Sequence, residues 1–366
     1  MSEAFRTLLK KVGSGSHTAK DLSRTEAATA TRLMLEQVAT PAQIGAFMIA
    51  HRIKRPTPVE LAGLLDCYDA LGPKLAPIRA AYPVTVLSCP YDGRSRTAPV
   101  APLTALLLAA NQAPVVLHGG DRMPTKQGLP FIEIFQALGL PWHRLSLEQV
   151  QQVLAETGLG FVYLPNHFPQ AQAMVPYRDQ IGKRPPFATI EIMWSPYAGE
   201  THLVSGYVHP PTEDRTCETF HQRETALFTT VKGLEGSCDL PRDRTAILGL
   251  GQLKDGQLQF ERLLLHPRDY GFTAIDPPLA SLAQYMTQLA QALTGGELEL
   301  AQSAIWNGGF YLWRCGAAST LEQGFEQARA TLASGRAAKQ LEVIKQAMAA
   351  SLKTSVQPAE NGAEAQ

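Results

Sequence analysis

The chain has 366 residues, 45% of them hydrophobic, and its 33 basic and 33 acidic side chains give a formal net charge of zero at pH 7. A chain of this length can bury a large core and is long enough for two domains. Because the charge is balanced, no overall field attracts the protein to nucleic acid or to a membrane, so any anion-binding site has to be local.

The five cysteines are scattered along the chain without CxxC spacing. This pattern argues against a disulfide framework or a zinc site and is typical of a reducing compartment. The N-terminal segment lacks the apolar core of a signal peptide, and no apolar run approaches the roughly eighteen residues of a membrane span. We therefore expect a cytoplasmic protein with no membrane association.

The first part of the chain has the pattern of capped helices. Ser23, Thr40 and Thr57 each precede a helical repeat of apolar residues, and proline follows directly after the two threonines. Serine and threonine are favoured N-caps, and proline is favoured at the first helical position. Residues 1–78 are therefore predicted to form a small helical domain.

Strand and helix patterns alternate in the rest of the chain, which predicts a mostly parallel central sheet with right-handed crossovers. Strands are expected at 82–88, 113–120, 158–166, 201–208, 226–233 and 244–251, and helices at 102–112, 130–140, 277–295, 303–316 and 320–335. The predicted α/β domain covers 79–167 and 197–352, with 168–196 packing on the helical domain as hinge helices. Residues 353–366 are polar, without apolar periodicity, and are expected to be disordered.

Ligands of an open parallel sheet bind beyond the carboxyl ends of its strands. The loops after the first three predicted strands carry the basic residues Arg94, Arg96, Arg122, Lys126, Arg178, Lys183 and Arg184. Guanidinium groups and backbone N–H groups freed by glycine are common phosphate donors. These loops are therefore candidates for a phosphate site, although solvated surface loops carry similar charges.

Two further residues allow two interpretations each. His118 stands at a strand end before Gly119 and Gly120, where it is either an acid, base or ribose contact, or a structural hydrogen-bonding residue. Asp239 is a weak candidate for a metal ligand, because Mg²⁺ usually takes one or two carboxylates together with substrate phosphates. Cys89 and Cys238 have no neighbour in sequence that would activate a thiol.

The order and spacing of these segments resemble the anthranilate phosphoribosyltransferases, the family 3 glycosyltransferases, from about residue 5 to about residue 350. The stretches that carry the resemblance are ATPAQIGAFMIAHRIKRPTPVELAGL, PVVLHGG, FVYLPNHFPQAQAMVPYRDQIGKR, VKGLEG and NGGFYLWRCGAASTLEQGFEQARATLASG.

The resemblance implies a small helical domain joined by a hinge to a larger α/β domain of the nucleoside phosphorylase/phosphoribosyltransferase class. It implies transfer of phosphoribose from phosphoribosyl pyrophosphate to anthranilate, a step of tryptophan biosynthesis, with Mg²⁺ as cofactor. It also implies a homodimer formed through the helical domains.

The chain departs from the family pattern at the pyrophosphate loops. Only Asp92 and Gly93 are retained in the first glycine-rich loop, where Pro90 removes an N–H donor and Tyr91 adds bulk. In the second loop, the family's lysine and asparagine are replaced around His118 and Gly119, and its paired serines by Pro124 and Thr125, whereas Lys126 remains. The metal-binding Asp-Glu pair falls on Cys238 and Asp239, and a family asparagine on Ala188.

Residues of the acceptor side match the family better. Arg178 matches the arginine that holds the anthranilate carboxylate, Asn166 and His167 match residues near the acceptor, and Arg184 matches a second arginine of that segment. The combination predicts that the Mg²⁺–pyrophosphate site is eroded while the acceptor side is partly kept. Loss of an ion ligand and of glycine donors would remove much of the stabilisation of the leaving pyrophosphate.

This pattern resembles a divergent branch of the family, some members of which lack the anthranilate reaction and bind nucleic acid without sequence preference. Three hypotheses stay open: a protein that binds single- or double-stranded nucleic acid in the cleft, a phosphoribosyltransferase for another aromatic or amine acceptor, and a working anthranilate enzyme. Zero net charge argues against the first, because nonspecific nucleic-acid binders usually carry a basic excess.

Overall fold

The computed structural model describes residues 2–15, 17–272 and 274–354. The N-terminal domain contains helices α1 (Glu3–Val12), α2 (Arg24–Leu35), α3 (Pro41–Lys54) and α4 (Pro58–Leu71). Ser23, Thr40 and Thr57 are the N-caps of α2, α3 and α4, and each forms a capping box with the side chain three residues on. The predicted helical domain is confirmed, with α1 as a helix that sequence analysis did not predict.

The α/β domain is built on a seven-stranded sheet with the order β3-β2-β1-β4-β5-β6-β7. The strands are β1 (Val84–Leu87), β2 (Val115–Gly119), β3 (Leu159–Tyr163), β4 (Thr201–Gly206), β5 (Leu227–Val231), β6 (Ala246–Lys254) and β7 (Gln257–Leu265). The first five strands are parallel, whereas β6 and β7 are antiparallel to their neighbours. The mostly parallel sheet is confirmed, and β7 is an additional strand.

The strand order reverses between β1 and β4, because β2 and β3 extend the sheet on one side of β1 and β4 to β7 on the other. Such a switch point leaves a crevice beyond the carboxyl ends of the two strands. The loops after β1, β4 and β5 therefore meet at one place.

The remaining helices cover the sheet and connect it to the helical domain. They are α5 (Ala101–Ala110), α6 (Phe131–Ala137), α7 (Leu147–Thr157), α8 (Leu164–His167), α9 (Pro169–Gln172), α10 (Val175–Ile181), α11 (Phe187–Ile190), α12 (Pro210–Gln222), α13 (Leu282–Leu293), α14 (Glu299–Arg314), α15 (Leu321–Ala333) and α16 (Arg336–Thr354). Sequence analysis missed α7, α12 and α16. The predicted tail begins at residue 353, but α16 continues to Thr354, and residues 355–366 lie outside those described.

Helix α12 of the α/β domain packs on α4 of the helical domain and forms the main interface between the two domains. Arg223, which follows α12, is ion-paired with Asp66 and Asp69 of α4, and Arg24 of α2 donates to Asp66 at 2.5 Å. Helix α10 packs on α3 and α11 on α4. Residues from both domains are thus held at the sheet's switch point. In the described ranges, no helix is long and apolar enough to cross a bilayer.

The close approach of α2 and α4 generates a stability prediction. A Cβ atom added at Gly63 would lie 2.2 Å from the carbonyl oxygen of Arg24, whereas the nearest heavy atom for one added at Gly45 in α3 would be at 3.9 Å. We expect Gly63→Ala to lower the free energy of unfolding by about 1–3 kcal/mol through overpacking. Gly45→Ala, the matched control, should raise it by roughly 0.5–1 kcal/mol because alanine favours the helix. Urea denaturation measures both, and equal stability of Gly63→Ala and wild type would contradict this packing.

Candidate functional site

A cleft of about 940 Å³ separates the helical domain from the switch point of the sheet. Its basic lining consists of Arg52, Arg55, Arg178, Arg184 and Arg215, and its acidic lining of Asp92 and Glu235. Of the basic residues selected from the sequence, Arg178 and Arg184 line this cleft. The other three arginines come from the end of α3 and from α12.

Arg94 is buried beneath the cleft instead of lining it. Its guanidinium donates to Asp239 at 2.5 Å and to the Ser237 hydroxyl at 2.8 Å, and both charged residues are no more than 2% exposed. The Asp239 carboxylate also accepts the backbone N–H of Val100 at 3.0 Å. Arg94 and Asp239, selected as phosphate and metal residues respectively, therefore neutralise each other.

The loop after β1 binds the carboxylate of Glu235 in the way that such loops bind a free anion. The carboxylate accepts backbone N–H groups from Ser95, Arg96 and Thr97 at 3.0–3.4 Å, and the Lys126 ammonium lies 3.1 Å away. Successive N–H groups beside cations form the kind of nest that binds phosphate. Burial alone would raise the pKa of Glu235, but the hydrogen bonds from Arg96 and Thr97 and the charges of Arg94 and Lys126 hold it well below its usual range.

Glu235 therefore uses Arg94 and Lys126, two of the seven basic residues that the sequence assigned to a phosphate site. We call this arrangement the Glu235 nest, defined by Glu235, Arg94, the backbone of 95–97 and Lys126. The guanidinium of Arg96 lies outside it and is exposed, 3.9 Å from the carboxylate. Glu235 has a left-handed backbone with φ of +54°, which is uncommon for a residue other than glycine.

The second loop, which contains His118, Gly119 and Gly120, borders only a small cavity. The cavity between this loop and the first one measures only about 10 Å³ and is lined by Tyr91, His118, Gly119 and Gly120 among others. Such a volume holds about one water molecule. The Tyr91 side chain closes it, with its hydroxyl 2.5 Å from Nδ1 of His118.

The surroundings of His118 favour a structural role over a role as acid, base or ribose contact. Its ring lies between Tyr91 and Trp194 in edge-to-face contacts and is 1% exposed. Burial lowers the pKa of His118 to about 3, so the imidazole is neutral at physiological pH. A neutral, enclosed imidazole is poorly placed to exchange protons with a ligand in the cleft.

Two ion pairs, one half-buried and one buried, involve the arginines of segment 168–196 that line the cleft. Arg184 donates to Asp92 at 2.7 Å, and Asp92 is 2% exposed. Arg178, the candidate for an acceptor carboxylate, is paired with Glu191 and contacts the sulfur of Met123. Burial raises the pKa of Glu191 to about 6, although the Arg178 charge opposes that rise.

The remaining predicted residues lie away from the cleft or are engaged locally. His167 accepts the Tyr163 N–H at 3.0 Å and faces the Leu145 carbonyl at 2.9 Å, and Asn166 donates to the His143 carbonyl. Arg122 forms a two-point ion pair with Glu133. Thr125 and Lys183 are exposed. Gly93 packs against Gly128, because a Cβ atom there would lie 2.5 Å from the Gly128 carbonyl carbon.

The residues at the predicted metal position do not fit Mg²⁺. Asp239 is engaged by a guanidinium and a backbone N–H. The neighbouring thiol of Cys238 is not the oxygen ligand that Mg²⁺ prefers, and contact with Cys89, together with burial, raises its pKa well above the usual range. Among the described residues, no three His, Cys, Asp or Glu side chains are grouped for a metal ion. Arg94 therefore supplies the positive charge at this carboxylate.

Two domain models cover most of the chain. The helical bundle domain of a glycosyl transferase family matches residues 6–72, and the α/β domain of the same description matches residues 93–338. The chain belongs to this glycosyl transferase family. The resemblance proposed from the sequence is thereby confirmed at the level of the family.

Relatives of this chain include proteins named anthranilate phosphoribosyltransferase. The one from Xanthomonas euvesicatoria is 27% identical over 298 residues, which cover 80% of this chain and 84% of the relative. The one from Verminephrobacter eiseniae is 25% identical over 320 residues, covering 86% and 90%.

Two solved structures show the same fold. Anthranilate phosphoribosyltransferase from Thermus thermophilus superimposes with a TM-score of 0.75 at 19% identity, covering 95% of this chain and all of that one. The enzyme from Saccharomyces cerevisiae in complex with PRPP and Mg superimposes with a TM-score of 0.80 at 14% identity, covering 95% and 99%.

Sequence analysis did not select several residues that form the site of this chain. Glu235 stands between Gly233 and Gly236 after β5, and this acidic residue among glycines at a strand end was the available signal. Glu191 carried no comparable signal. The arginines Arg52, Arg55 and Arg215 lie on helices or at helix ends, outside the strand-end loops that were searched.

The Glu235 nest predicts a variant that an anion can rescue. Glu235→Ala leaves Lys126 and three N–H groups without their anion, leaves Arg94 with Asp239 alone, and should cost about 3–5 kcal/mol of stability. Phosphate or pyrophosphate should restore much of the lost thermal stability by filling the nest. Glu133→Ala, which removes the carboxylate beside exposed Arg122, should cost less than about 1 kcal/mol and show no anion response. Differential scanning calorimetry with and without the anion decides, and equal losses in both variants would rule out the nest.

Glu191 predicts a pH dependence. Its folded pKa of about 6 exceeds the ordinary value of 4.5, so between these pH values the folded state keeps a proton that the unfolded chain has lost. Stability should therefore fall as pH rises through this window, by about 2 kcal/mol for this group. Glu191→Gln should remove that component. Urea denaturation of both proteins from pH 4 to pH 7 tests the prediction, and parallel pH curves would contradict it.

Proposed function

We propose that the interdomain cleft binds a phosphate-bearing ligand, and that this ligand is the backbone of a nucleic acid. The observation that carries the proposal is the charge of the cleft wall. Five arginines line it, and two of them are paired, Arg178 with Glu191 and Arg184 with Asp92. Arg52, Arg55 and Arg215 have no carboxylate partner among the described residues, since Glu235 of the lining is paired with Arg94 and Lys126. An uncompensated group of guanidiniums in a concave site attracts anions even on a protein without net charge.

The size and openness of the cleft suit an extended ligand. Its volume of about 940 Å³ contrasts with the cavity of about 10 Å³ between the two pyrophosphate-type loops. Arginine contacts to phosphodiesters position a strand without reading bases. A ligand of this class can therefore use the cleft without the loops that the family uses for pyrophosphate.

A second candidate is phosphoribosyl transfer from phosphoribosyl pyrophosphate to anthranilate or another aromatic or amine acceptor. The names of the relatives at 25–27% identity favour it, and Arg178 and Lys126 are kept. The engaged Asp239, the Glu235 nest and the Tyr91 side chain all occupy places where such a donor and Mg²⁺ would have to bind. Rearrangement of the first two loops would be required before this reaction.

The proposed self-association through the helical domain has one supporting feature. Val38, Ile53 and Val59 are exposed apolar residues of this domain or its helix ends. Sedimentation velocity of wild type and of a Val38→Asp variant tests whether this surface forms a dimer. A cytoplasmic location stays a prediction from the sequence.

Fluorescence anisotropy of a labelled single-stranded oligonucleotide, titrated at several salt concentrations, tests the principal proposal. Binding should weaken steeply with salt, because each phosphate contact releases about 0.7 of a counterion from a single strand. Lys183→Ala/Arg184→Ala, which removes Arg184 of the cleft lining and the exposed charge next to it, should weaken binding and flatten the salt dependence by at least one contact. Arg144→Ala, which removes an exposed charge outside the cleft lining, should bind as wild type. A double variant with unchanged affinity, or a wild type that fails to bind at low salt, would refute the proposal.

The second candidate predicts Mg²⁺-dependent binding of phosphoribosyl pyrophosphate. Isothermal titration at millimolar ligand, with Mg²⁺ and with EDTA, measures this directly. A Mg²⁺-dependent heat that Asp239→Asn abolishes would favour the transferase over the nucleic-acid ligand. Displacement of a bound oligonucleotide by the same ligand would place both in one cleft.

A further inference from the structure

Two arginines from different domains line the rim of the same cleft. Arg55 follows α3 in the helical domain, and Arg215 lies in the second turn of α12 in the α/β domain. Both line the 940 Å³ cleft, as does Arg52. Arg52 donates to the backbone carbonyl of Arg184 at 3.0 Å, which connects this rim to the hinge.

Packing holds these like charges close to each other. Helix α12 lies against α4, which begins three residues after Arg55, and Thr219 of α12 donates to the Pro58 carbonyl at 3.4 Å. Burial lowers the pKa of Arg215, and the nearby charge of Arg55 lowers it further, with only a partial offset from Asp214. The two guanidiniums therefore repel each other in the ligand-free protein.

No acidic side chain forms an ion pair with Arg55 or Arg215 in the part of the chain that the structure describes, and Asp214 offsets the charge at Arg215 only in part. Neither guanidinium has an ion pair or a side-chain hydrogen bond there. The two carboxylates of the cleft are paired elsewhere, Asp92 with Arg184 and Glu235 with Arg94 and Lys126. Arg55 is also held at φ of +65°, a backbone conformation that is uncommon for a residue with a side chain.

We propose that Arg55 and Arg215, assisted by Arg52, form a phosphate subsite on the helical-domain rim of the cleft, separate from the Glu235 nest. We call these three residues the rim arginines. The subsite deepens the proposed function, on which it rests, because it names where the phosphate groups bind. Guanidinium groups suit it because they donate two parallel N–H bonds to phosphate oxygens.

The position of the rim arginines defines the course of the ligand. A chain of phosphates that contacts Arg184 at the hinge and Arg215 on α12 would cross the cleft between the two domains. Its negative charge would relieve the repulsion between Arg55 and Arg215. The ligand would thus bridge the helical domain and α12 through two guanidiniums that have no other partner among the described residues.

The experiment compares Arg55→Ala, Arg215→Ala and the double variant with the matched control Arg144→Ala. The probes are a labelled single-stranded oligonucleotide, followed by anisotropy, and inorganic tripolyphosphate, followed by thermal shift. Each single rim variant should weaken oligonucleotide binding by about tenfold, as expected for loss of a charge-assisted contact, and the double variant by more. Without ligand, the melting temperature of Arg215→Ala should equal or exceed that of wild type because repulsion is removed.

The outcomes separate the subsite from the proposed function. If Lys183→Ala/Arg184→Ala weakens binding but the rim variants bind as wild type, the cleft function stands and the subsite is refuted. If wild type binds neither probe, both fail. A rim-dependent thermal shift with tripolyphosphate but no oligonucleotide binding supports the subsite and assigns it to a free polyphosphate, which overturns the nucleic-acid proposal. A rim variant that melts below wild type without ligand would show a structural role and overturn the subsite.

Discussion

The carboxylate of Glu235 in its nest is the interaction on which the rest of the site depends. It accepts three backbone N–H groups of the loop after β1 and lies beside two cations. Because this anion is a side chain of the protein, the N–H groups of the loop are satisfied without a bound phosphate. Arg94 of this nest also donates to Asp239, which places a guanidinium where the family resemblance implies a metal.

Aromatic side chains fill the region between the two pyrophosphate-type loops. Tyr91 lines the small cavity between the two loops, and its ring contacts His118. Trp194 packs on the other side of that imidazole and also contacts Tyr68 of the helical domain. The aromatic contacts therefore join the first loop, the sheet and the helical domain into one packed unit. What stays open is the cleft above it, whose arginines come largely from helices.

The sequence was sufficient to predict the fold class because the signals for helices and strands are local and repeated. Capping residues such as Ser23 and Thr57 and the apolar strand runs each act over a few neighbours, which is the range over which periodicity is informative. Helix α12 was missed because His209 and two prolines open it without a side-chain cap and its mean hydropathy is low. The site was harder to predict, since the pairing of Arg94 with Asp239 or of Arg178 with Glu191 depends on which loops the topology brings together.

This dependence on pairing also explains how a chain with zero net charge can have a basic cleft. Charge counted along a sequence includes cations such as Arg94 and Arg178, whose fields are cancelled at contact distance by buried carboxylates. Beyond a few ångströms such a pair acts as a dipole, and its influence falls off much faster than that of a single charge. The effective charge of the cleft is therefore set by cations that lack a partner among the described residues, of which Arg55 and Arg215 are the clearest. Neutral composition argues against a long-range field, but it places no limit on a local one.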